Sequence, residues 1–200
     1  MLVIGNGESR LGINLDEFDV PKIGCNAIYR DFFTDHLVCV DKRMCDEALN
    51  AEVNHKSLIY TRPENYIKYT KRLREVPLLP YAGMERPDQP KHWGSGPYAL
   101  LIAAKNYNTI SMVGFDLYSQ TKKVNNIYKG TKNYIAAEKS AVDPSYWIYQ
   151  ISKIFENFTT TKFIIYQVEG WKRPKSWKKP NVKVDNISNI YYNINYKTRS

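Results

Sequence analysis

Short apolar runs recur along the chain between polar, turn-forming segments, which is the rhythm of an α/β fold with a largely parallel sheet. Residues 2–4, 22–26 and 37–41 predict three buried strands, 44–53 a short helix and 57–60 a fourth strand. Residues 63–89 are rich in Pro, Tyr and Arg without a clean period and predict a mostly irregular segment. The clearest unit is HWGSGPYALLIAAKNYNTISMVGFD, beginning at His92. Ser95 is placed as an N-cap, Pro97 is tolerated in a first helical turn, and Tyr98, Leu101, Ile102 and Tyr107 fall near one helical face. The helix closes at Asn108, and a strand over 110–113 runs into Gly114-Phe115-Asp116. A second helix is predicted over 144–158, with Trp147, Ile151, Ile154 and Phe158 on its apolar side, and a last core strand over 163–168. Beyond Val182 the weak alternation of VKVDNISNIYY is compatible with an edge strand.

Composition adds class and partner. Two hundred residues, 43% hydrophobic and 24% charged, suit one globular domain of ordinary core size. No apolar run approaches a membrane span and no charged leader opens the chain, so a cytoplasmic location is expected. Cys25, Cys39 and Cys45 are too few for a disulfide framework and are expected as free thiols. His36, His55 and His92 are scattered and form no metal-ligand pattern with them, so neither a metal nor another cofactor is expected. The net charge of +9 points to an anionic partner. It concentrates in WKRPKSWKKP, where Lys172, Arg173, Lys175, Lys178 and Lys179 are interleaved with Trp171 and Trp177. Basic residues mixed with aromatics suit a phosphate backbone with bases to stack on; a solvated linker, or a coding bias toward Lys, Asn, Ile and Tyr, gives the same letters. Residues 1–170 are read as the folded unit and 171–200 as an exposed basic extension bordering its cleft.

Four predicted strands end in short polar side chains: Asn6, Asn26, Asp41 and Asp116. Any one is an ordinary cap or turn residue. Their coincidence is more than turns require, because in an open parallel sheet ligands bind beyond the carboxyl ends of the strands. The first end reads IGNGESR. Gly5-Asn6-Gly7 is either a plain strand-to-loop turn or a loop shaped to grip a phosphate, and it lacks the third glycine of a dinucleotide fingerprint.

The order Gly-Asn-Gly-x-Ser, Cys-Asn-x-x-Tyr, a strand with a short polar end, Ser-Gly-x-Tyr-Ala and Gly-Phe-Asp-Leu-Tyr resembles the bacterial lipooligosaccharide sialyltransferases over residues 2–168. Part of the pattern is shared with archaeal pterin diphosphokinase-like proteins. The resemblance implies a Rossmann-like, GT-A-variant fold, helices on both faces of the sheet, and a metal-independent glycosyltransferase using a nucleotide-activated sugar. It places Asn6, Gly7, Ser9 and Asn26 at the donor, Ser95 and Gly96 at the donor phosphate, and Asp116 and Tyr118 near the nucleotide. Asp41 stands where those enzymes have an asparagine. A carboxylate there would repel that of sialic acid, so the implied donor is a different sugar. Tyr128 corresponds to a tyrosine that hydrogen-bonds the departing phosphate. The family's basic histidine has no counterpart in SAVDPSYWIYQ; Asp143 is the nearest proton acceptor there, and is equally well read as a helix cap.

Two function classes follow. One is a transferase moving a sugar to an anionic acceptor, either a phosphorylated glycan or a nucleic-acid base as in DNA modification. The other is a nucleic-acid-binding protein that keeps the fold without transfer. The residues leave the oligomeric state open.

Overall fold

The computed structural model describes residues 1–69, 72–119 and 121–195. Eight parallel strands form one sheet in the order β5-β4-β3-β2-β1-β6-β7-β8. In chain order these are β1 Leu2–Ile4, β2 Lys22–Cys25, β3 His36–Val38, β4 Leu58–Thr61, β5 Arg74–Glu75, β6 Thr109–Val113, β7 Lys162–Gln167 and β8 Val182–Asn186. The helices are α1 Lys42–Asn50, α2 Pro63–Tyr66, α3 Ser95–Asn106, α4 Ser145–Asn157 and α5 Ile190–Asn195. The order makes the fold doubly wound and Rossmann-like. The chain lays strands outward from β1 to β5, crosses back through α3, and lays β6 to β8 on the other side of β1. That reversal leaves a crevice between the carboxyl ends of β1 and β6.

Strand side chains alternate between two cores, as a period of two dictates. Val3, Ile23, Val38, Met112 and Ile165 pack with α3 and α4 on one face. Leu2, Ile4, Leu37, Val113 and Tyr166 pack with α1 and α5 on the other. Helix α3 is buried almost all round because it lies between the sheet and α4, so apolar and small residues cover its circumference. The predicted strands and the two long helices are present, β1 with its predicted bounds and the others shifted by at most three residues. Ser95 is the first residue of α3, and Gly94 holds the N-cap position.

Residues 171–195 belong to this sheet and its cores. β8 pairs with β7 from Phe163↔Val182 to Gln167↔Asn186, and α5 seals the second core with Ile190 and Ile194. The segment expected as an exposed extension is anchored: Trp177 is fully buried, edge-on to Phe155, and its Nε1 donates to the Ile148 carbonyl at 2.9 Å. Arg173 donates to the carbonyls of Trp177 and Val182, and Lys179 pairs with Glu156 at 2.9 Å. An indole is too large an apolar surface to leave in water when a helix face lies beside it. Lys172, Lys175 and Lys178 remain exposed. Residues 196–200 of the expected extension lie outside the described residues. Among the described residues no helix is long and apolar enough to cross a membrane.

Candidate functional site

A cleft of about 330 Å³ opens at the switch point, a volume typical of small-molecule sites. Its floor is made by the ends of β1, β2, β3 and β6, through Gly5 to Gly7, Cys25 and Asn26, Val40 and Asp41, and Gly114 to Leu117. Its far wall is the start of α3, from Trp93 to Pro97, with Arg62, His92 and Trp147 beside it. Of the residues named from sequence, Asn6, Gly7, Asn26, Asp41, Ser95, Gly96 and Asp116 meet here.

The first strand end answers the question its glycines raise. Gly5 and Gly114 are pressed together: a Cβ on Gly5 would lie 2.3 Å from the Gly114 carbonyl oxygen, and the Gly5 N–H donates to Val113 at 2.8 Å. Gly7 donates to the Gly114 carbonyl at 2.9 Å, and a Cβ there would lie 2.4 Å from the Asp116 carboxyl carbon. Asp116 accepts from the Ser9 N–H at 2.8 Å and from the Ser9 hydroxyl. The Glu8 N–H goes to Asn125 Oδ1 at 2.8 Å. The Gly5, Gly7, Glu8 and Ser9 amides of this loop are therefore satisfied within the chain, by a carboxylate and by carbonyl oxygens. Below, the buried Arg10 guanidinium donates to Gly5 O at 2.9 Å and to the Tyr128 hydroxyl at 3.1 Å.

Asn6 is 8% exposed; its Nδ2 donates to Cys25 O at 3.0 Å and to the Tyr134 hydroxyl at 3.3 Å, while its Oδ1 has no partner among the described residues. Trp93 is fully buried in the opposite wall, and its Nε1 has no partner among the described residues. Buried polar atoms are nearly always paired, so two residues lining one cleft that each carry a buried orphan atom are unusual. Asn26 adopts a left-handed conformation (φ 54°), which asparagine tolerates. Its Oδ1 accepts from the Ser95 hydroxyl at 2.8 Å, and Ser95 Oγ in turn accepts from Val40 N–H at 3.1 Å. Ser95 thus ties α3 to β2 and β3 and does not cap its own helix.

The start of α3 is the anion-attracting end of the cleft. No side chain caps it, and the Ser95 and Gly96 amides lie in its first turn, where helical N–H groups lack internal acceptors. A Cβ at Gly96 would touch only Phe115, at 3.6 Å, so this glycine leaves open space. Arg62 lies alongside, one Nη donating to Trp93 O at 3.3 Å and its buried Nε without a partner among the described residues. His92 stacks edge-on against Tyr146 of α4 (5.3 Å between ring centres). Partial burial and then the cations Lys91, Arg86 and Arg62 lower its pKa from 6.5, which keeps the imidazole neutral at pH 7. Asp41 lines the cleft, exposed, at the N-cap of α1 without a capping bond. Burial pushes the Cys25 thiol up to about 12, so it is no nucleophile. Among the described residues no cluster of His, Cys, Asp or Glu is placed to hold a metal ion.

The other sequence-named residues sit elsewhere. Ser9 and Tyr118 line a second cavity together with Trp171 and Lys172. Tyr128 is buried in the core beneath the loop, its hydroxyl donating to Asp31 at 2.6 Å, away from the cleft. Asp143 is exposed, and its carboxylate accepts from the Ser145 N–H at 2.9 Å and hydroxyl at 3.0 Å, which is helix-start chemistry. Arg62, His92 and Trp93 were not singled out from sequence; only the HWGSG run into α3 hinted at the last two. No protein-family model, curated protein or solved structure matches this chain.

Proposed function

We propose that the cleft binds a nucleotide-activated donor and that the protein transfers the donor's sugar to a hydroxyl acceptor without a metal. The observation that carries this reading is the meeting, in one cleft, of an uncapped α3 N-terminus beside Arg62 with Asn6 and Trp93, whose Oδ1 and Nε1 have no partner among the described residues. An anionic phosphate suits the first pair, and a sugar or base with its own donors and acceptors suits the second.

In the transfer step the acceptor oxygen bonds to the anomeric carbon while the bond from that carbon to the phosphate oxygen breaks. The bonding pair leaves on the phosphate, where the α3 amides and Arg62 stabilise the charge. The acceptor's proton goes to a base. Asp143, engaged at the start of α4, is replaced in this role by His92, which lines the cleft and is neutral at pH 7.

The test is a thermal-shift and calorimetric screen of nucleoside mono- and diphosphates and nucleotide sugars, at low and high salt, on wild type, Asn6→Ala and Arg62→Gln. Stabilisation by one nucleotide class that survives high salt and weakens in both variants supports the reading. Stabilisation by oligonucleotides alone, vanishing with salt, replaces it with the nucleic-acid-binding reading.

A further inference from the structure

Beside the cleft lies a second cavity of about 570 Å³ that the donor reading does not use. It opens between the loops after β6 and β7, and its wall includes Asp116, Tyr118, Asn125, Gln167, Trp171 and Lys172. Gln167 is 2% exposed; its Nε2 lies 3.5 Å from Asp116 Oδ1, and its Oε1 has no partner among the described residues. The amide orientation is set by charge: turning it over would point its oxygen at the Asp116 carboxylate. A buried acceptor without a donor is therefore built into the cavity.

The other walls narrow the chemistry. Trp171 is half-buried and fixed by its Nε1, which donates to the Asp116 carbonyl at 2.8 Å, and Tyr118 is 40% exposed. Aromatic faces want an apolar surface, and the amide oxygen wants an O–H or N–H. A phosphate supplies neither and meets the Asp116 carboxylate. A pyranose supplies both, its C–H face against a ring and its hydroxyls toward Gln167.

From this geometry we infer that the second cavity is a carbohydrate-binding site for a neutral, hydroxyl-rich glycan unit, with Gln167 as its deep acceptor and Trp171 as its platform. The two cavities share Asp116, Ser119 and Asn125, so a glycan longer than one unit reaches from one to the other. Resting on the donor reading, that places the acceptor's penultimate unit here and its reacting end in the first cleft.

The experiment titrates the full chain with neutral tri- and tetrasaccharides built on glucose, galactose or N-acetylhexosamine, and with a DNA oligonucleotide, following tryptophan fluorescence and heat. Wild type, Gln167→Met and Trp171→Phe are compared after urea unfolding has shown each to be folded. The expected result is binding of at least one oligosaccharide, weakened tenfold or more in Gln167→Met and without its fluorescence change in Trp171→Phe, while nucleotide binding in the first cleft is unaltered. No oligosaccharide binding, equal binding by Gln167→Met, or competition by the oligonucleotide for the Trp171 signal overturns the inference. Oligosaccharide binding without any nucleotide binding supports this site and sinks the transfer reading instead.

Discussion

Gly7→Ala distinguishes a packing glycine from a ligand-gripping one. The added Cβ would lie 2.4 Å from Asp116 Cγ and 2.6 Å from both carboxylate oxygens, so the carboxylate must move. Overpacking of this kind costs roughly 1–3 kcal/mol, and disturbing the partly buried hydrogen bonds from Ser9 costs about 1–3 kcal/mol more. We expect a net loss near ~3 kcal/mol, enough to lower the urea midpoint clearly while leaving most of the protein folded. Asp116→Ala alone is expected to cost about 2–3 kcal/mol for the orphaned Ser9 amide and hydroxyl. In the double variant the clash is gone, so Gly7→Ala should add little to it. Equilibrium urea unfolding of all four proteins by circular dichroism gives the coupling energy, expected at about 3 kcal/mol, the whole cost of Gly7→Ala alone. Additivity within about 0.5 kcal/mol, or a Gly7→Ala protein of wild-type stability that has lost nucleotide binding, would refute the packing argument and return Gly7 to the ligand.

Gly96→Ala is the converse: with open space around the new methyl and a helical backbone, it should hold or raise stability by up to ~1 kcal/mol while weakening nucleotide binding in calorimetry. Asp143→Ala should cost about 1 kcal/mol in urea unfolding through loss of its bonds at the start of α4, and leave nucleotide affinity unchanged. Trp177→Ala should cost about 3–5 kcal/mol, seen as a large fall in melting temperature rather than a selective loss of oligonucleotide affinity. His36 is half-buried, its Nδ1 has no partner among the described residues, and burial lowers its pKa from 6.5 against the opposing charge of Asp35. The unfolded chain therefore takes this proton first as pH falls. Stability should decline on going down from about pH 7 through about 6.5, and His36→Gln should flatten that slope in urea midpoints.

Much of the sheet was legible because buried parallel strands write themselves as short, near-continuous apolar runs. β5 was not: a two-residue edge strand of exposed Arg74 and Glu75 carries no hydrophobic signal. α5 was hidden for a related reason, since Ile190 and Ile194 are its buried pair within an Asn- and Tyr-rich stretch that alternates weakly. Ser95 was read one position early because sequence shows a capping residue type but not what else its hydroxyl can reach; Asn26, 69 positions away, took it. The same blindness to distant partners misplaced Trp177. Prolines and lysines on either side read as an exposed linker, and only the folded chain shows Phe155 and Ile148 waiting beside it.

The site was legible to the extent that it depends on strand ends, and illegible where the chain answers itself. Strand position alone brings Asn6, Asn26, Asp41 and Asp116 to one edge of the sheet, so pattern reading finds all four. It does not tell which of them still has something to give. Asp116 comes back to the first loop from across the switch point and takes the Ser9 donors, so a strand end that looks built for an external anion already holds an internal one. Uncapped amides lie at the start of α3, where Pro97 has no N–H and, among the described residues, no side chain caps Ser95 and Gly96. Beside them stand the Arg62 cation and the neutral His92, which flank the segment with no readable period, so no pattern of spacing pointed to them. An anion in this cleft is therefore drawn to the α3 wall and away from Asp116. A bound phosphate should protect the Gly96 amide from hydrogen exchange and leave the Gly7 and Ser9 amides, already bonded within the chain, as they were. Protection appearing at Ser9 instead would mean that ligand displaces Asp116, and the two ends of the cleft would exchange roles.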